Sequence, residues 1–363
     1  MHIIHIVESF AGGVYDFISD LTNATTRYHH TVIYAKRPNT PARFTKDFPP
    51  STRFIYWKNA TREICLLRDF RALTELLGIL RELPDIDILH LHSSKAGFLG
   101  RVAARILGMQ DRVIYTSHGV SFLRKDVSEF KQKVFVWLEH LGKKAGGTVV
   151  ACSRSEMEEF HRHGLDAVYI NNAVRCTPPP PARPTEKSIY TVGTIGRITY
   201  PKNPLLFNQI AYAFSHDPSI RFVWVGEGEL RDQLTAPNIE ITGWLDREGV
   251  AQKLASFDLY LSTSLWEGLP LSALQAMCEG KPLILSDCVG NRDLIDQNRN
   301  GLLYRSLFDA IEFIDELKRH PEKTEPLGRE SRAIFRQHFT FDLFVKNYID
   351  LYQTKTSETK EPL

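Results

Sequence analysis

The sequence predicts an α/β protein with two domains, each built on a parallel β-sheet that carries helices on both faces. Short apolar, β-rich runs alternate along the chain with segments of helical periodicity, a pattern typical of parallel sheets. The length of 363 residues fits two domains, because a domain averages roughly 150 residues. A proline-rich run at 177–184 resists helix and sheet and is expected to separate the halves as a stiff spacer.

The first predicted domain covers residues 1–175. Its strands are predicted at 2–7, 30–35, 86–91, 113–115 and 148–151, with helices over 69–83 and 94–107. Gly12 and Gly13 follow the first strand, and backbone without side chains there lets a phosphate or sugar approach closely. We favour that role for Gly13, while a plain tight turn explains Gly12 equally well.

His118 is the candidate functional residue of this domain. It follows a short apolar strand and precedes Gly119, at the carboxyl end of a strand, where ligands of parallel sheets bind. The alternative is a hydrogen-bonded histidine that serves packing alone, which is the usual role of a single histidine.

The second predicted domain covers residues 189–338, with strands at 190–195, 222–225, 239–242, 258–262 and 282–285. Glu267 and the turn after it lead into a helix, whose start at Leu271 and Ser272 aims backbone N–H groups outward. Phosphate favours such a place through hydrogen bonds and the helix dipole. A last helical pattern predicts a helix at 339–353.

The composition excludes several classes of protein. The chain holds 45 basic and 43 acidic residues, so nucleic acid is not expected as a partner. Five scattered cysteines without a C-x-x-C pair predict free thiols in a reducing compartment. The first ten residues lack the features of a signal peptide, and no run of about 20 apolar residues is present. We therefore expect a cytosolic enzyme.

No metal site is predicted. Asp85 and Asp87 match D-x-D, but they open a strand and are interpreted as a solvated turn. His90 and His92 share one face of a strand and form a conceivable metal pair, yet the sequence offers no third ligand at a supporting spacing.

Residues 101–150 form a basic stretch with nine Lys or Arg residues and four Asp or Glu residues. Aromatic and apolar side chains, including Phe130 and Trp137, lie between the charges. A basic helix with aromatics can bind an anionic membrane surface. An ordinary helix with one solvated face explains the pattern equally well, so both interpretations stay open.

Two motifs of the second half resemble retaining nucleotide-sugar glycosyltransferases of family four, in particular members that build capsule or lipopolysaccharide. Glu267, followed eight positions later by Gln275, is similar to the E-x7-E signature of that family, with Gln in place of the second Glu. Gly196 and Arg197, followed by Lys202, resemble its diphosphate grip. The resemblance covers nearly the whole chain, and its sharpest motifs lie between Val192 and Leu303.

The resemblance implies a GT-B fold, in which two Rossmann-like domains face across a cleft and the helix at 339–353 crosses back to the first domain. It implies a hexosyltransferase that retains the anomeric configuration and needs neither metal nor cofactor. The donor would be a nucleotide-diphosphate sugar, expected to be UDP-linked. The acceptor would be a glycan, expected to be lipid-linked, in surface polysaccharide biosynthesis. The location would be the cytoplasm, or the inner face of the cell membrane.

The resemblance also implies residue roles. His118 and Glu267 would contact the reacting sugar, with Glu267 orienting the ring rather than attacking it. Trp244 would stack on the nucleobase, although core packing explains it equally well. The residues implied to bind the rest of the donor are Gly13, Arg197, Lys202, Leu271, Ser272 and Gln275.

Two alternative functions stay open from the sequence. A nucleotide-sugar 2-epimerase shares this fold and converts the donor without any acceptor. A non-catalytic sugar-nucleotide-binding protein is suggested by Gln275 in place of glutamate. Product analysis with donor alone separates the first alternative, and restoring Glu at 275 tests the second.

Overall fold

The computed structural model describes residues 1–61, 63–176 and 189–358, so the proline-rich run at 177–184 lies outside the described residues. The chain forms two compact units. Unit 1 contains residues 1–123, 127–170 and the segment that begins at Phe344. Unit 2 contains residues 124–126 and 171–343.

Unit 1 is built on a seven-stranded parallel sheet in the order β3-β2-β1-β4-β5-β6-β7. This is the Rossmann order, extended by one strand. The strands are β1 (His2–Val7), β2 (His29–Tyr34), β3 (Arg53–Tyr56), β4 (Ile88–His92), β5 (Val113–Thr116), β6 (Thr148–Ala151) and β7 (Val168–Tyr169). The helices are α1 (Gly12–Ala24), α2 (Leu66–Glu82), α3 (Ser94–Ile106), α4 (Glu129–Ala145) and α5 (Arg154–Arg162).

Unit 2 repeats the Rossmann order in a six-stranded parallel sheet, β10-β9-β8-β11-β12-β13. Its strands are β8 (Tyr190–Ile195), β9 (Ile220–Val225), β10 (Ile239–Ile241), β11 (Leu259–Ser262), β12 (Leu283–Ser286) and β13 (Gly301–Tyr304). Its helices are α6 (Pro204–Ala213), α7 (Arg247–Ser256), α8 (Leu271–Cys278), α9 (Leu307–Arg319) and α10 (Thr324–His338). The predicted fold class is thereby confirmed.

The central strands are buried on both faces. In β1, residues 3–7 are all fully buried, and in unit 2 Leu259, Leu261, Leu283 and Ile284 are fully buried. Such near-continuous apolar runs suit parallel strands that helices cover on both sides. Within the described residues, no helix combines the length and the apolar character needed to cross a membrane.

The last helix, α11 (Phe341–Glu358), packs on unit 1 from Phe344 onward. The Tyr352 hydroxyl lies 2.7 Å from Nδ1 of His90, and the Tyr348 hydroxyl lies 3.2 Å from Oγ1 of Thr116. Both tyrosines are fully buried. Buried phenols need polar partners, so these two hydrogen bonds hold the helix against β4 and β5.

The segment just before the proline-rich run associates with unit 2, whereas the predicted first domain extended to residue 175. The Asn172 amide donates to the carbonyl of Leu269 at 3.2 Å, and Val174 forms a β-bridge with Thr340. These partners lie about 100 or more residues away along the chain, so local pattern could not indicate them.

The prediction that all five cysteines are free thiols is wrong for two of them. Cys176 and Cys278 form a disulfide between residues whose Cα atoms lie 5.8 Å apart. Within the described residues, Cys65, Cys152 and Cys288 take part in no disulfide. The bonded pair is separated by 102 residues, so sequence spacing held no signal for it. The bond ties the start of unit 2 to the end of α8.

Cys176→Ser should lower the stability of unit 2. A cross-link that closes a loop of about 100 residues contributes about 4 kcal/mol by restricting the unfolded chain. We expect a lower melting temperature, measured calorimetrically, and the same loss in wild type after treatment with a reductant. Cys65→Ser removes an exposed free thiol and serves as the control. Equal melting temperatures for both variants, or five reactive thiols in unreduced denatured protein, would contradict the bond.

Candidate active site

In unit 2, the loop after β8 brings a glycine and a lysine into contact. A Cβ atom on Gly196 would lie 3.3 Å from Cε of Lys202, so the lysine side chain passes directly over the glycine. The Gly196 carbonyl accepts a hydrogen bond from the Trp224 indole at 2.8 Å. Gly196 has φ of +150°, which favours glycine. The loop thus places Lys202 at the carboxyl edge of the sheet.

Lys202 and Glu267 form an ion pair at this edge. Nζ of Lys202 lies 2.6 Å from Oε1 of Glu267, with side chains 25% and 15% exposed. The Ser264 hydroxyl donates to the same oxygen at 2.6 Å. Burial alone would lower the pKa of Lys202, but the Glu267 carboxylate and the Tyr260 phenol raise this pKa overall. The ammonium therefore stays charged at neutral pH, and Oε2 of Glu267 has no donor among the described residues.

The loop after β12 fixes the backbone of Glu267. The Glu267 N–H donates to the Val289 carbonyl at 3.2 Å. A Cβ atom on Gly290 would lie 2.8 Å from the carbonyl oxygen of Gly268 and 2.9 Å from Cβ of Glu267. Gly290 also has φ of +83°. Only a residue without a side chain allows this approach.

Helix α8 begins beside the ion pair. Its first two residues, Leu271 and Ser272, have backbone N–H groups without acceptors in the described part of the chain, as is usual for a first helical turn. The Ser272 hydroxyl lies 2.8 Å from the hydroxyl of Tyr260, the tyrosine that also acts on Lys202. The structure therefore brings the helix start, Lys202 and Glu267 together.

Three further predicted residues lie on the loops and helix of the same unit. Gln275 is half-buried, one turn into α8, and its amide has no hydrogen bond to any described residue. Arg197 is exposed directly after Gly196 and forms no ion pair with the described residues. Trp244 is 67% exposed after β10, so the alternative of core packing is wrong.

In unit 1, Gly13 is exposed in the first turn of α1. The residue that needs to be glycine there is Gly12, with φ of +57°. Gly12 also has open space where a Cβ atom would lie. The turn therefore requires glycine at position 12, because of its positive φ, and Gly13 is a glycine whose backbone is accessible to a ligand.

His118 follows β5 in a left-handed conformation, with φ of +53°. Its Nε2 lies 2.9 Å from Nδ1 of His92, and its ring packs edge-on against Phe17 with centroids 4.6 Å apart. Burial lowers the pKa of His118 to about 3. The imidazole is therefore neutral at physiological pH.

Glu156 holds the turn that carries His118. Its Oε1 accepts hydrogen bonds from the N–H groups of Gly119 at 3.1 Å and Val120 at 2.9 Å. Its Oε2 accepts from the N–H of Cys152 at 2.6 Å. The side chain is fully buried. One carboxyl group thus joins the loop after β5 to the end of β6, a role that sequence analysis did not detect.

Histidines line the interior beside His118. Strand register places His5 next to His90, and ring nitrogens of His5, His90 and His92 lie within 4.8 Å of one another. The expectation that no third candidate ligand accompanies His90 and His92 is therefore wrong. Each ring nitrogen of the three already has a hydrogen-bond partner inside the protein, so we assign no metal to them.

Comparison with known proteins agrees with these features. Residues 11–177 match the family Glycosyltransferase Family 4, and residues 189–320 match the family Glycosyl transferases group 1. UDP-Gal:alpha-D-GlcNAc-diphosphoundecaprenol alpha-1,3-galactosyltransferase of Escherichia coli is 31% identical over 298 residues, which cover 74% of this chain and 75% of that protein.

Two further proteins extend the comparison. The O-antigen biosynthesis glycosyltransferase WbnH of Escherichia coli is 29% identical over 249 residues, 67% of this chain and 70% of that protein. Sucrose-phosphate synthase from Thermosynechococcus elongatus has a TM-score of 0.82 at 17% identity, covering 99% of this chain and all of that one. The structural likeness confirms the fold, and the sequence likeness confirms the predicted resemblance.

Acid should destabilise unit 1 steeply below pH 6.5. Burial lowers the pKa of His30 to about 4 and that of His118 to about 3, and it lowers the pKa values of His5, His90 and His92 well below 6.5. Below pH 6.5 the unfolded chain binds protons that the folded chain cannot, so stability is complete above 6.5 and falls as pH decreases. Each histidine lowers the free energy of unfolding by at most about 1.4 kcal/mol for each pH unit below 6.5.

We therefore expect the melting temperature to fall by about 10 °C or more between pH 6.5 and pH 5, measured by scanning calorimetry. His320→Gln is the control, because His320 is half exposed, at 52%, and should leave this dependence unchanged. A melting temperature that stays constant from pH 7 to pH 5 would show that the five imidazoles are not buried as neutral groups.

Proposed function

This chain belongs to glycosyltransferase family four, and from that premise we propose that it transfers a hexose from a nucleotide-diphosphate sugar to a glycan. We propose that transfer retains the anomeric configuration, requires no metal and uses a UDP-linked donor. The observation that carries the proposal is the Lys202–Glu267 pair beside the start of α8. There a cation, a carboxylate and free helix N–H groups stand at one edge of a parallel sheet.

The diphosphate of the donor would bind to Lys202, Arg197 and the N–H groups of Leu271 and Ser272. Negative charge develops on the diphosphate as the sugar departs, and fixed cations and dipoles stabilise that charge without reorganising. The free guanidinium of Arg197 is suited to bidentate contact with phosphate oxygens. These groups would supply the stabilisation that Mg²⁺ gives in other enzymes.

Glu267 would orient the sugar ring. Lys202 and Ser264 both engage Oε1, which leaves Oε2 to accept a hydrogen bond from a sugar hydroxyl. A carboxylate neutralised by an adjacent ammonium is a weak nucleophile, so the geometry favours a positioning role over a covalent one. Retention would then come from attack on the face that the diphosphate leaves, with a phosphate oxygen accepting the proton of the acceptor hydroxyl.

The remaining predicted residues complete the proposal. Gln275 has an unoccupied amide that would bond to ribose hydroxyls as donor and acceptor. The exposed ring of Trp244 would stack on the nucleobase. We propose that Gly13 binds through its backbone, and that His118 contacts the sugar that is transferred.

The acceptor is proposed to be a lipid-linked glycan in surface polysaccharide biosynthesis, handled on the cytoplasmic side of the cell membrane. The Escherichia coli relative that is 31% identical is named for a diphosphoundecaprenol-linked acceptor. A second relative is named for O-antigen biosynthesis. Both names support an acceptor of this chemistry.

One face of α4 supports peripheral contact with an anionic membrane. Phe130, Lys133, Trp137 and Lys144 lie within about 60° of each other around the helix axis, because each turn takes 3.6 residues. Phe130 is 75% exposed and Trp137 is 58% exposed. Exposed aromatics that alternate with lysines suit the boundary between lipid headgroups and acyl chains.

Helix α2 packs against α3, as α4 does. The start of α2 and the residues just before it carry a second exposed apolar group that sequence analysis did not single out. Its members, Ile64, Leu66, Leu67 and Phe70, are between 57% and 84% exposed. We propose that both helices contribute to the membrane-contacting surface.

The decisive experiment measures donor binding and product together. UDP-, GDP- and ADP-sugars are screened by thermal shift, because a ligand that binds only the folded state raises its melting temperature. The stabilising donor is then incubated with and without a lipid-diphosphate-linked sugar, and the linkage of the product is determined by NMR. A product formed from donor alone would indicate an epimerase, and no stabilisation by any of these donors would contradict the proposal.

Arg197→Ala should lower kcat by about a hundredfold while the melting temperature stays unchanged, since Arg197 is exposed and bonded to no described side chain. Arg197→Lys should recover part of the loss, because it keeps the charge and loses the bidentate geometry. Arg319→Ala, at an exposed position of α9, is the matched control and should keep full activity. Wild-type turnover by Arg197→Ala would remove this residue from the site.

The double variant Phe130→Ser/Trp137→Ser should weaken binding to vesicles of phosphatidylglycerol by about tenfold or more, measured by co-sedimentation. Vesicles of phosphatidylcholine should bind the wild-type protein weakly, because the lysines then lack anionic partners. Phe308→Ser serves as the control, since Phe308 is 78% exposed in unit 2. Equal sedimentation of the double variant and wild type would place the membrane contact elsewhere.

A further inference from the structure

Four histidines in unit 1 form a continuous hydrogen-bonded chain that ends at His118. Nδ1 of His30 lies 3.2 Å from Nε2 of His5. Nδ1 of His5 lies 3.0 Å from Nε2 of His92, and Nδ1 of His92 lies 2.9 Å from Nε2 of His118. At every junction Nδ1 of one ring meets Nε2 of the next. We call this set the imidazole chain.

At the His30 end of the imidazole chain, Nε2 faces two oxygens that can only accept a hydrogen bond. Nε2 of His30 lies 3.1 Å from the carbonyl oxygen of Thr25 and 3.1 Å from the Thr25 hydroxyl. That hydroxyl donates its hydrogen to the carbonyl of Leu21 at 2.6 Å. Neither oxygen has a hydrogen to offer His30. The hydrogen between them must therefore sit on Nε2 of His30.

This one assignment determines which ring nitrogen carries the hydrogen in every other histidine of the imidazole chain. Its members are buried, and burial lowers their pKa values, so each ring is neutral and carries a single hydrogen. With its hydrogen on Nε2, His30 must accept at Nδ1 from Nε2 of His5. His5 then accepts at Nδ1 from Nε2 of His92, and His92 accepts at Nδ1 from Nε2 of His118. Every ring donates from Nε2 and accepts at Nδ1.

We propose that His30, His5 and His92 are positioning residues that hold His118 in the Nε2–H tautomer, so that its Nδ1 offers a lone pair to a substrate hydroxyl. This inference rests on the proposed function of His118 in sugar transfer. Among the described residues, Nδ1 of His118 has only the Cys152 sulfur beside it, at 3.9 Å. A thiol is a weak partner that a hydroxyl can replace.

The assignment limits what His118 can do. Its single hydrogen is held inward by His92, so it accepts a hydrogen bond from the sugar and does not donate one. The chain also ends on a backbone carbonyl, which cannot take up a proton at neutral pH. The imidazole chain therefore orients His118 and does not conduct protons to solvent.

The tautomer can be observed directly in the full-length protein. Protein with ¹⁵N-labelled histidine gives long-range ¹H–¹⁵N spectra in which protonated and unprotonated ring nitrogens have distinct shifts. The His118 signals are assigned as those that disappear in His118→Gln. The expected result at pH 7.5 is a protonated Nε2 and an unprotonated Nδ1. A protonated Nδ1 in wild type overturns the proposal, and this measurement needs no substrate.

Two variants of His30, at the end of the imidazole chain opposite His118, test whether His30 controls the tautomer of His118. His30→Asn keeps an acceptor oxygen near the position of Nδ1 and should preserve both the tautomer of His118 and the kcat. His30→Leu removes the acceptor, so the whole chain can reverse and His118 should populate the Nδ1–H form. We expect His30→Leu to lower kcat by about tenfold with the donor KM within about twofold of wild type.

The outcomes separate this inference from the proposed function. A folded His30→Leu protein with an unchanged His118 tautomer and unchanged kcat overturns the positioning role. Loss of kcat with an unchanged tautomer also overturns it, since that result indicates a general packing defect. If no sugar is transferred by wild type, the proposed function fails, while the tautomer spectra still decide whether the imidazole chain holds His118 as stated.

Discussion

Strand direction is the constraint on which both candidate sites depend. Every strand pair in the two described sheets is parallel, so all carboxyl ends of a sheet meet at one edge. In unit 2 this puts the loops after β8, β11 and β12 side by side, and with them Lys202, Glu267 and Gly290. In unit 1 it puts the loop after β5 beside the ends of β4 and β6, and with it His118 and Glu156. Each site is assembled from loops that are distant in sequence, on strands that hydrogen bonding keeps in register.

The two units bury polar groups in different ways. In unit 2 the charge is kept and paired, since Lys202 and Glu267 stabilise each other against the cost of removing an ion from water. In unit 1 the imidazoles stay neutral and satisfy one another, which avoids that cost altogether. The difference suits the proposed chemistry. A charged lysine is needed where a diphosphate binds, and an oriented, uncharged imidazole is needed where a sugar hydroxyl is to be bound.

Much of the fold was predictable because buried parallel strands appear in the sequence as short, continuous runs of apolar residues. The run at 2–7 became β1, and the runs at 148–151 and 190–195 became β6 and β8 with the same bounds. The turn after Glu267 and the helix that follows were also correctly predicted. The chain could not reveal His5 as the neighbour of His90, because that contact depends on β1 lying beside β4. The role of Glu156 and the Cys176–Cys278 bond were missed because both depend on contacts between segments that are distant in sequence.

The sequence by itself determined the strands, the helices and the kinds of residue that follow each strand, because these depend on neighbours within a few positions. It therefore specified a cation, a carboxylate and a helix start in one unit and a histidine at a strand end in the other. Only the tertiary structure decided which of these groups touch. Sheet order brought Lys202 onto Glu267 across 65 residues and His5 onto His92 across 87, and no local preference encodes a contact made at that separation.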